Sequence, residues 1–338
     1  MSKIWFDITN TPQVHFLLGV KKMLASGDNE YIYSTRDFSE TVKLLEKAIG
    51  EHYIVFGKHH GKSYINKVTG LLSRFWQVYR NIPDFDISIS NGSENAIWTS
   101  ALKRKKSIAF GDNDLARQWT YGRFVSFAFF PNAISKDVIT QQGISEKRLF
   151  LYNGYKEDVY LHDFSPNTSF LSTLPFDNYV IVRPENIMAN YIRNDGVQSI
   201  TPDLLKRLSN NGINILYLPR YDFDRAYADG LKNIFIPDAP INGLDAVYYS
   251  DAVFTGAGTL AREAGCLNVP SFSFFAGSDL LAVDKQMIKD GLMFFSRNPD
   301  ELYNQFKSSS KTAPDLSRSK NAAAEIKDKL IEVIQNFS

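Results

Sequence analysis

The feature that most constrains this chain is a repeated alternation of short apolar runs with longer segments of helical period. "KIWFDI" (3–8), "EYIYST" (30–35), "HYIVFG" (52–57), "FDISIS" (85–90), "KSIAFG" (106–111), "FVSFAFFP" (124–131) and "LFLYNG" (149–154) read as strands. Between them, stretches such as 13–26, 38–49 and 63–81 read as helices, with Val14, Leu17, Leu18 and Leu24 near one face of the first. The alternation restarts with "NYVIVRP" (178–184), a helix over 201–211, then "INILYLPR" (213–220), "NIFIP" (233–237), "DAVFTG" (251–256) and "PSFSFF" (270–275). Repeated strand–helix units imply parallel sheets covered on both faces. Two such series, broken near 156–176, predict an α/β chain of two Rossmann-like domains, their parallel sheets facing across a cleft.

Charge narrows the function. The 338 residues carry 38 Lys+Arg against 37 Asp+Glu, without the basic excess that a general nucleic-acid binder needs. Cys266 is the only cysteine, which excludes an internal disulfide and fits a reducing compartment. The start, "MSKIWFDITNTP", lacks the apolar core of a signal peptide, and no apolar run is long enough to span a bilayer. A cytoplasmic protein is expected. "KRKK" (103–106) reads as a solvated helix end, with contact to anionic lipid at the inner membrane face as the sharper alternative. "WTYGRFVSFAFF" (119–130) reads as buried core.

Open α/β sheets take ligands beyond the carboxyl ends of their strands, so polar residues there are the candidates. Asn10 and Thr11 follow the first strand, with His15 one turn into the next helix. They form a capped helix with a surface histidine, or a sugar contact with a general base. "GKHHGKS" (57–63) is one residue short of a P-loop, since three residues lie between Gly57 and Gly61. Lys58, His60 and Lys62 there suit an anion or acceptor loop, or merely a basic one. The paired histidines lack metal-ligand spacing, and no metal site is expected. Glu94 in "SNGSENA" and Asp112 in "FGDNDLARQ" are helix caps, or a catalytic base and hydroxyl acceptors. In the second half Arg183 and Glu185 follow one strand and Arg220 the next, where an arginine makes a phosphate fork or an ion pair.

"GAGTLA" (256–261) matches the dinucleotide pattern G-x-G-x-x-A, with Asp279 placed 23 residues on. That pattern normally joins the first strand and helix of its domain, whereas here about three strands precede it. The same bare amides, Gly256, Ala257, Gly258 and Thr259, can hold a pyrophosphate at a helix N-terminus. Glu263, one turn on, is placed to accept ribose hydroxyls.

These segments carry a resemblance. "IWFDITNTPQVHF", "GKHHGKS", "SNGSENA", "FGDND", "YNGYKEDVYL", "VRPE", "LPR", "GAGTLAREA" and "LLAVDKQMIKDGL" resemble, over nearly the full length, a largely archaeal family catalogued as domain of unknown function 354. "GAGTLAREAGCLNVPSFSF" is also similar to the late-domain motif of GT-B glycosyltransferases of the MurG type and to non-hydrolysing UDP-N-acetylglucosamine 2-epimerases. The resemblance implies a GT-B-like fold: an acceptor domain over 1–160, a nucleotide-sugar domain over 176–318, and a final helix in 319–338 returning to the first. It implies a glycosyltransferase using a nucleotide-diphosphate sugar, a UDP-sugar first, as substrate and not as cofactor, and a sugar or lipid-linked acceptor. A 2-epimerase-like enzyme and a non-catalytic sugar-nucleotide binder are the alternatives. It assigns the diphosphate to residues 256–259, the ribose to Glu263 and the donor sugar to the loop bearing Asp284. The first loop lacks the glycine run of the MurG type and the "GTRPE" segment of the epimerases.

Overall fold

The computed structural model describes residues 2–25, 28–38, 41–50, 52–58, 64–187 and 198–337. The chain divides into two compact units, Met1–His162 with Ser319–Ser338, and Asp163–Arg318. The first holds a seven-stranded sheet: β1 (Lys3–Ile8), β2 (Glu30–Asp37), β3 (Ile54–Lys58), β4 (Ile87–Ser90), β5 (Lys106–Phe110), β6 (Phe127–Pro131) and β7 (Leu149–Tyr152). Their order is β3-β2-β1-β4-β5-β6-β7, and every pairing is parallel. Ile4, Trp5 and Phe6 are consecutive and completely buried, so both faces of β1 are covered. The indole of Trp5 packs against Phe85 at 4.9 Å between centroids.

The helix Ser317–Gln335 joins this first unit through small residues. Ser319 Oγ donates to Asp158 Oδ1 at 2.7 Å. Ala322 packs so close to Gly154 that a Cβ added there would lie 2.7 Å from the alanine methyl. Ile326, Leu330 and Val333 bury the rest of the stripe, as helical spacing dictates.

The second unit holds β8 (Val180–Arg183), β9 (Ile215–Tyr217), β10 (Ile234–Phe235), β11 (Ala252–Thr255), β12 (Ser271–Ser273) and β13 (Phe294–Phe295). The order, β10-β9-β8-β11-β12-β13, is again all parallel. Leu204, Leu205 and Leu208 of the helix Thr201–Asn210 pack onto Val180, Val182 and Phe254. Each fully buried side chain of this size stabilises by roughly 1.5–3 kcal/mol.

In both sheets the order reverses between the first and fourth strands. The loops after β1 and β4, and those after β8 and β11, therefore open on the switch points where such sheets take ligands. Two expectations need correction. "WTYGRFVSFAFF" is not uniformly core: Tyr121, Val125 and Ala128–Phe130 are buried, but Trp119 and Phe124 are 63% and 55% exposed. Apolar runs also exceed the strands they form, since "INILYLPR" pairs only over Ile215–Tyr217. Among the described residues no helix is long and apolar enough to cross a membrane.

Candidate functional site

β11 is the fourth strand of its unit, so the glycine turn lies across the switch point from β8 and not after a first strand. Thr255 pairs in register with Arg183. A Cβ on Gly256 would stand 2.5 Å from the Cα of Glu185, so this position requires glycine. Beyond it, the helix Gly258–Cys266 begins at Ala257 with no side-chain cap and no acidic residue in its first turn. Its first amides have no intrahelical acceptor and point their partial positive charge outward.

Two arginines stand at the same edge. Burial, and next the charge of Arg220, hold the Arg183 guanidinium down to about 10, well below its ordinary value, while Glu263 and Asp224 act in the opposite sense. Arg220 Nε is buried without a hydrogen-bond partner among the described residues. Asp224 does not supply one: its Oδ2 accepts the backbone N–H groups of Arg220 and Tyr221, at 2.9 and 3.0 Å, and so builds the turn. Among the described residues no carboxylate forms an ion pair with Arg183 or Arg220. Two partly buried, mutually repelling cations beside an uncapped helix N-terminus make a site that an anion would complete.

The geometry corrects four assignments in this unit. Gly256 N–H donates to Arg183 O at 3.0 Å, and Ala257 N–H to Thr255 Oγ1 at 2.9 Å, so these two amides are already used. Of the four candidate amides, Gly258 and Thr259 remain. Glu185 is not a ligand residue. It is 2% exposed and accepts Ser199 Oγ, Thr201 Oγ1 and the Ile200 N–H, with Arg297 at 3.3 Å, which fixes the start of the helix Thr201–Asn210. Asp284 is buried and accepts Arg262 Nη1 at 3.0 Å. That same Nη1 would lie 3.0 Å from a Cβ at Gly258, so the pair sits beside the turn. Glu263 remains at this edge, close enough to Arg183 to favour its charge.

In the first unit the switch point is organised by Asp7, which pairs in register with Ser90. Arg74 donates through Nη2 to Asp7 Oδ1 at 2.6 Å and through Nη1 to Oδ2 at 3.2 Å. Ser34 and Ser93 also donate to the carboxylate, at 2.7 and 2.5 Å. Burial alone would raise the Asp7 carboxyl, but Arg74 and the two hydroxyls overcome it and hold the pKa below its ordinary value. The network ties β1, β2, the helix Tyr64–Asn81 and the loop after β4 together.

Glu94 begins the helix Glu94–Leu102 beside this network. Burial raises its pKa, against the weaker opposing effects of its own backbone, Thr120, Arg36 and Arg74. Thr120 Oγ1 donates to it at 3.3 Å. Asp112 stands differently, since Lys156 Nζ donates to its Oδ2 at 2.6 Å. His15 is exposed on the helix Thr11–Met23, its ring 6.3 Å from that of Tyr160. Partial desolvation holds the imidazole below its ordinary pKa. Among the described residues no hydrogen bond joins His15 to Glu94 or Asp112, so the three candidate bases are not one network. Thr11 Oγ1 lies 3.2 Å from Thr41 Oγ1, and Asn10 Oδ1 is buried without a partner among the described residues. The backbone of Lys58 closes β3, while His60 and Lys62 lie outside the described residues. Among the described residues no group of three or more His, Cys, Asp or Glu could hold a metal ion.

Residues 2–335 match the model described as "Protein of unknown function (DUF354)". The chain belongs to the DUF354 family. A relative of this DUF354 protein, "Uncharacterized protein MJ0665" of Methanocaldococcus jannaschii, is 23% identical over 327 residues, covering 89% of each chain. Solved structures give the fold. The UDP-GlcNAc 2-epimerase of Methanocaldococcus jannaschii matches with a TM-score of 0.70 at 12% identity, covering 99% of both chains. That of Neisseria meningitidis, solved with UDP-GlcNAc bound, matches at 0.74 and 11%, covering 98% of this chain and 100% of its own. The glycotransferase of kitacinnamycin matches at 0.63 and 11%, covering 99% of both. The DUF354 protein thus has a GT-B-like fold of two Rossmann-like units.

Four residues that matter were missed by sequence reasoning. Arg36, at the end of β2, follows the same strand-end rule as Arg183 and Arg220 and was findable. Arg74, Lys156 and Arg262 act through partners 67, 44 and 22 positions away and carry no local signal.

Proposed function

We propose that this DUF354 protein is a glycosyltransferase-like enzyme acting on a nucleotide-diphosphate sugar. The observation that carries the reading is the pair of arginines without carboxylate partners, Arg183 and Arg220, beside the uncapped helix start at Gly258 and Thr259. The second unit takes the donor, with the diphosphate on those cations and amides and the ribose on Glu263. The first unit takes the acceptor, a sugar or lipid-linked sugar. In transfer, an acceptor hydroxyl oxygen bonds to the anomeric carbon as the bond from that carbon to the diphosphate breaks. The hydroxyl proton passes to Glu94, a carboxylate at the switch point whose pKa burial raises. The leaving nucleoside diphosphate gains negative charge, and Arg183 and Arg220 stabilise that charge most as it develops. The sugar nucleotide is consumed as a substrate. Solved neighbours that act on or bind UDP-GlcNAc support a uridine nucleotide as the first donor to try.

Those same neighbours support a second reading, a UDP-sugar 2-epimerase-like reaction by elimination and re-addition of the nucleotide. Incubation with UDP-N-acetylglucosamine, alone and with sugar acceptors, separates the two. Transfer only when acceptor is present supports the transferase; a new sugar without acceptor supports the epimerase. Glu94→Gln should lose turnover while retaining stabilisation by UDP. Stabilisation by NAD and not by UDP would count against both readings.

A further inference from the structure

We propose that the first unit carries an anion-recognition site built on Arg36 and Asn10, and that its ligand is a sugar bearing a phosphate or carboxylate. The inference rests on the assignment of the first unit to the acceptor and deepens it by naming the acceptor's chemistry.

Arg36 ends β2, the neighbour of β1 at the switch point. Its Nε donates to Thr9 O at 2.7 Å, and its guanidinium lies over the Phe38 ring, 4.7 Å from the centroid. These two contacts fix the plane of the fork and leave the two terminal nitrogens to bind elsewhere. Among the described residues no ion pair or hydrogen bond occupies them. Among the described residues neither nearby acid is bound to it: Asp7 is committed to Arg74 through both oxygens, and Glu94 accepts Thr120. Burial, followed by the repulsion of Arg74, disfavours the Arg36 charge, against the weaker attraction of Asp7 and Glu94. An arriving anion would relieve that cost, and a fork of fixed plane suits the paired oxygens of a phosphate or carboxylate.

One residue after Thr9, Asn10 Oδ1 is a buried acceptor with no donor among the described residues. Such an atom costs free energy until an O–H or N–H reaches it. A fully ionised group cannot satisfy it, but a hydroxyl can. The fork near the end of β2 and this acceptor in the loop after β1 therefore call for a molecule carrying both an anionic group and hydroxyls. A sugar phosphate or uronate carries both, whereas a neutral sugar lacks the anion.

The test is equilibrium binding to the full chain of glucose 1-phosphate, glucuronate, glucose and an isoprenyl ester of glucose 1-phosphate. At least one anionic sugar should bind, and glucose should not. Arg36→Gln should weaken that binding about ten-fold or more, the scale of a charge-assisted hydrogen bond. Asn10→Asp, which keeps the helix-capping capacity and adds a repelling charge, should weaken it as well. Both variants should keep the UDP-induced stabilisation. Preference for the isoprenyl ester would assign a lipid-linked acceptor, and preference for free glucose 1-phosphate a soluble one. Binding unchanged in both variants, or lost in Arg220→Ala instead, would overturn the assignment. Failure of the wild-type protein to respond to UDP would refute the donor reading separately, since it involves no first-unit residue.

Discussion

Replacing Arg183 by methionine should make the protein more stable and worse at holding its nucleotide. Arg183 is protonated in the unfolded chain at every ordinary pH, and burial with the nearby Arg220 lowers its pKa to about 10 when folded. A folded pKa below the unfolded one means that the charged form is disfavoured by folding. The cost is fully present at neutral pH and is relieved only as pH rises through the folded value. The shift corresponds to no more than about 3 kcal/mol, and remaining solvent contact screens it to roughly 1–2 kcal/mol. Methionine keeps the apolar stem and removes the charge. Domains of this size gain roughly 2–4 °C per kcal/mol, so Tm should rise by roughly 2–8 °C. Loss of one charge-assisted contact to a phosphate costs about 1.5–3 kcal/mol, or roughly 10–100-fold in Kd for UDP. Thermal unfolding with and without UDP reads both quantities in one experiment. A lower Tm with an unchanged UDP response would show that Arg183 is a structural ion-pair residue and would refute the reasoning.

Three further outcomes follow from the geometry. Gly256→Ala places a methyl 2.5 Å from the Glu185 Cα and should destabilise by roughly 1–3 kcal/mol, read from the urea midpoint, with loss of the UDP response. Asp284→Ala leaves Arg262 buried without its carboxylate and should cost about 3–5 kcal/mol by the same measurement, whereas a pure donor-sugar contact would leave stability unchanged. Asp7 has a folded pKa below 3.8, so its contribution to stability is present above that pH and is lost as pH falls through the folded value. Urea unfolding of the wild type should therefore weaken between pH 5 and pH 3, and Asp7→Asn should be less stable at pH 7 and flatter across that range.

Much of the architecture was legible because uninterrupted apolar strands can only be buried on both faces. "KIWFDI" and "DAVFTG" announced β1 and β11 in this way. β13 was not legible: two edge residues, Phe294 and Phe295, make no run. The candidate edge was legible too, since strand-end arginines and a bare glycine turn are local signals. What those groups already spend on the protein was not. That Gly256 gives its amide to Arg183, or Glu185 its oxygens to the start of a helix 15 positions on, depends on register and packing between distant segments. The same holds for charge. A count of 38 cations against 37 anions cannot say which guanidiniums are paired, and the function proposed here depends on the few that are not.

The most direct measurement is a crystal structure of the full chain with UDP. The account predicts the diphosphate within hydrogen-bond distance of the Arg183 and Arg220 guanidiniums and of the Gly258 and Thr259 amides, with the ribose hydroxyls on Glu263. A diphosphate bound elsewhere, with both arginines turned away from it, would contradict the account.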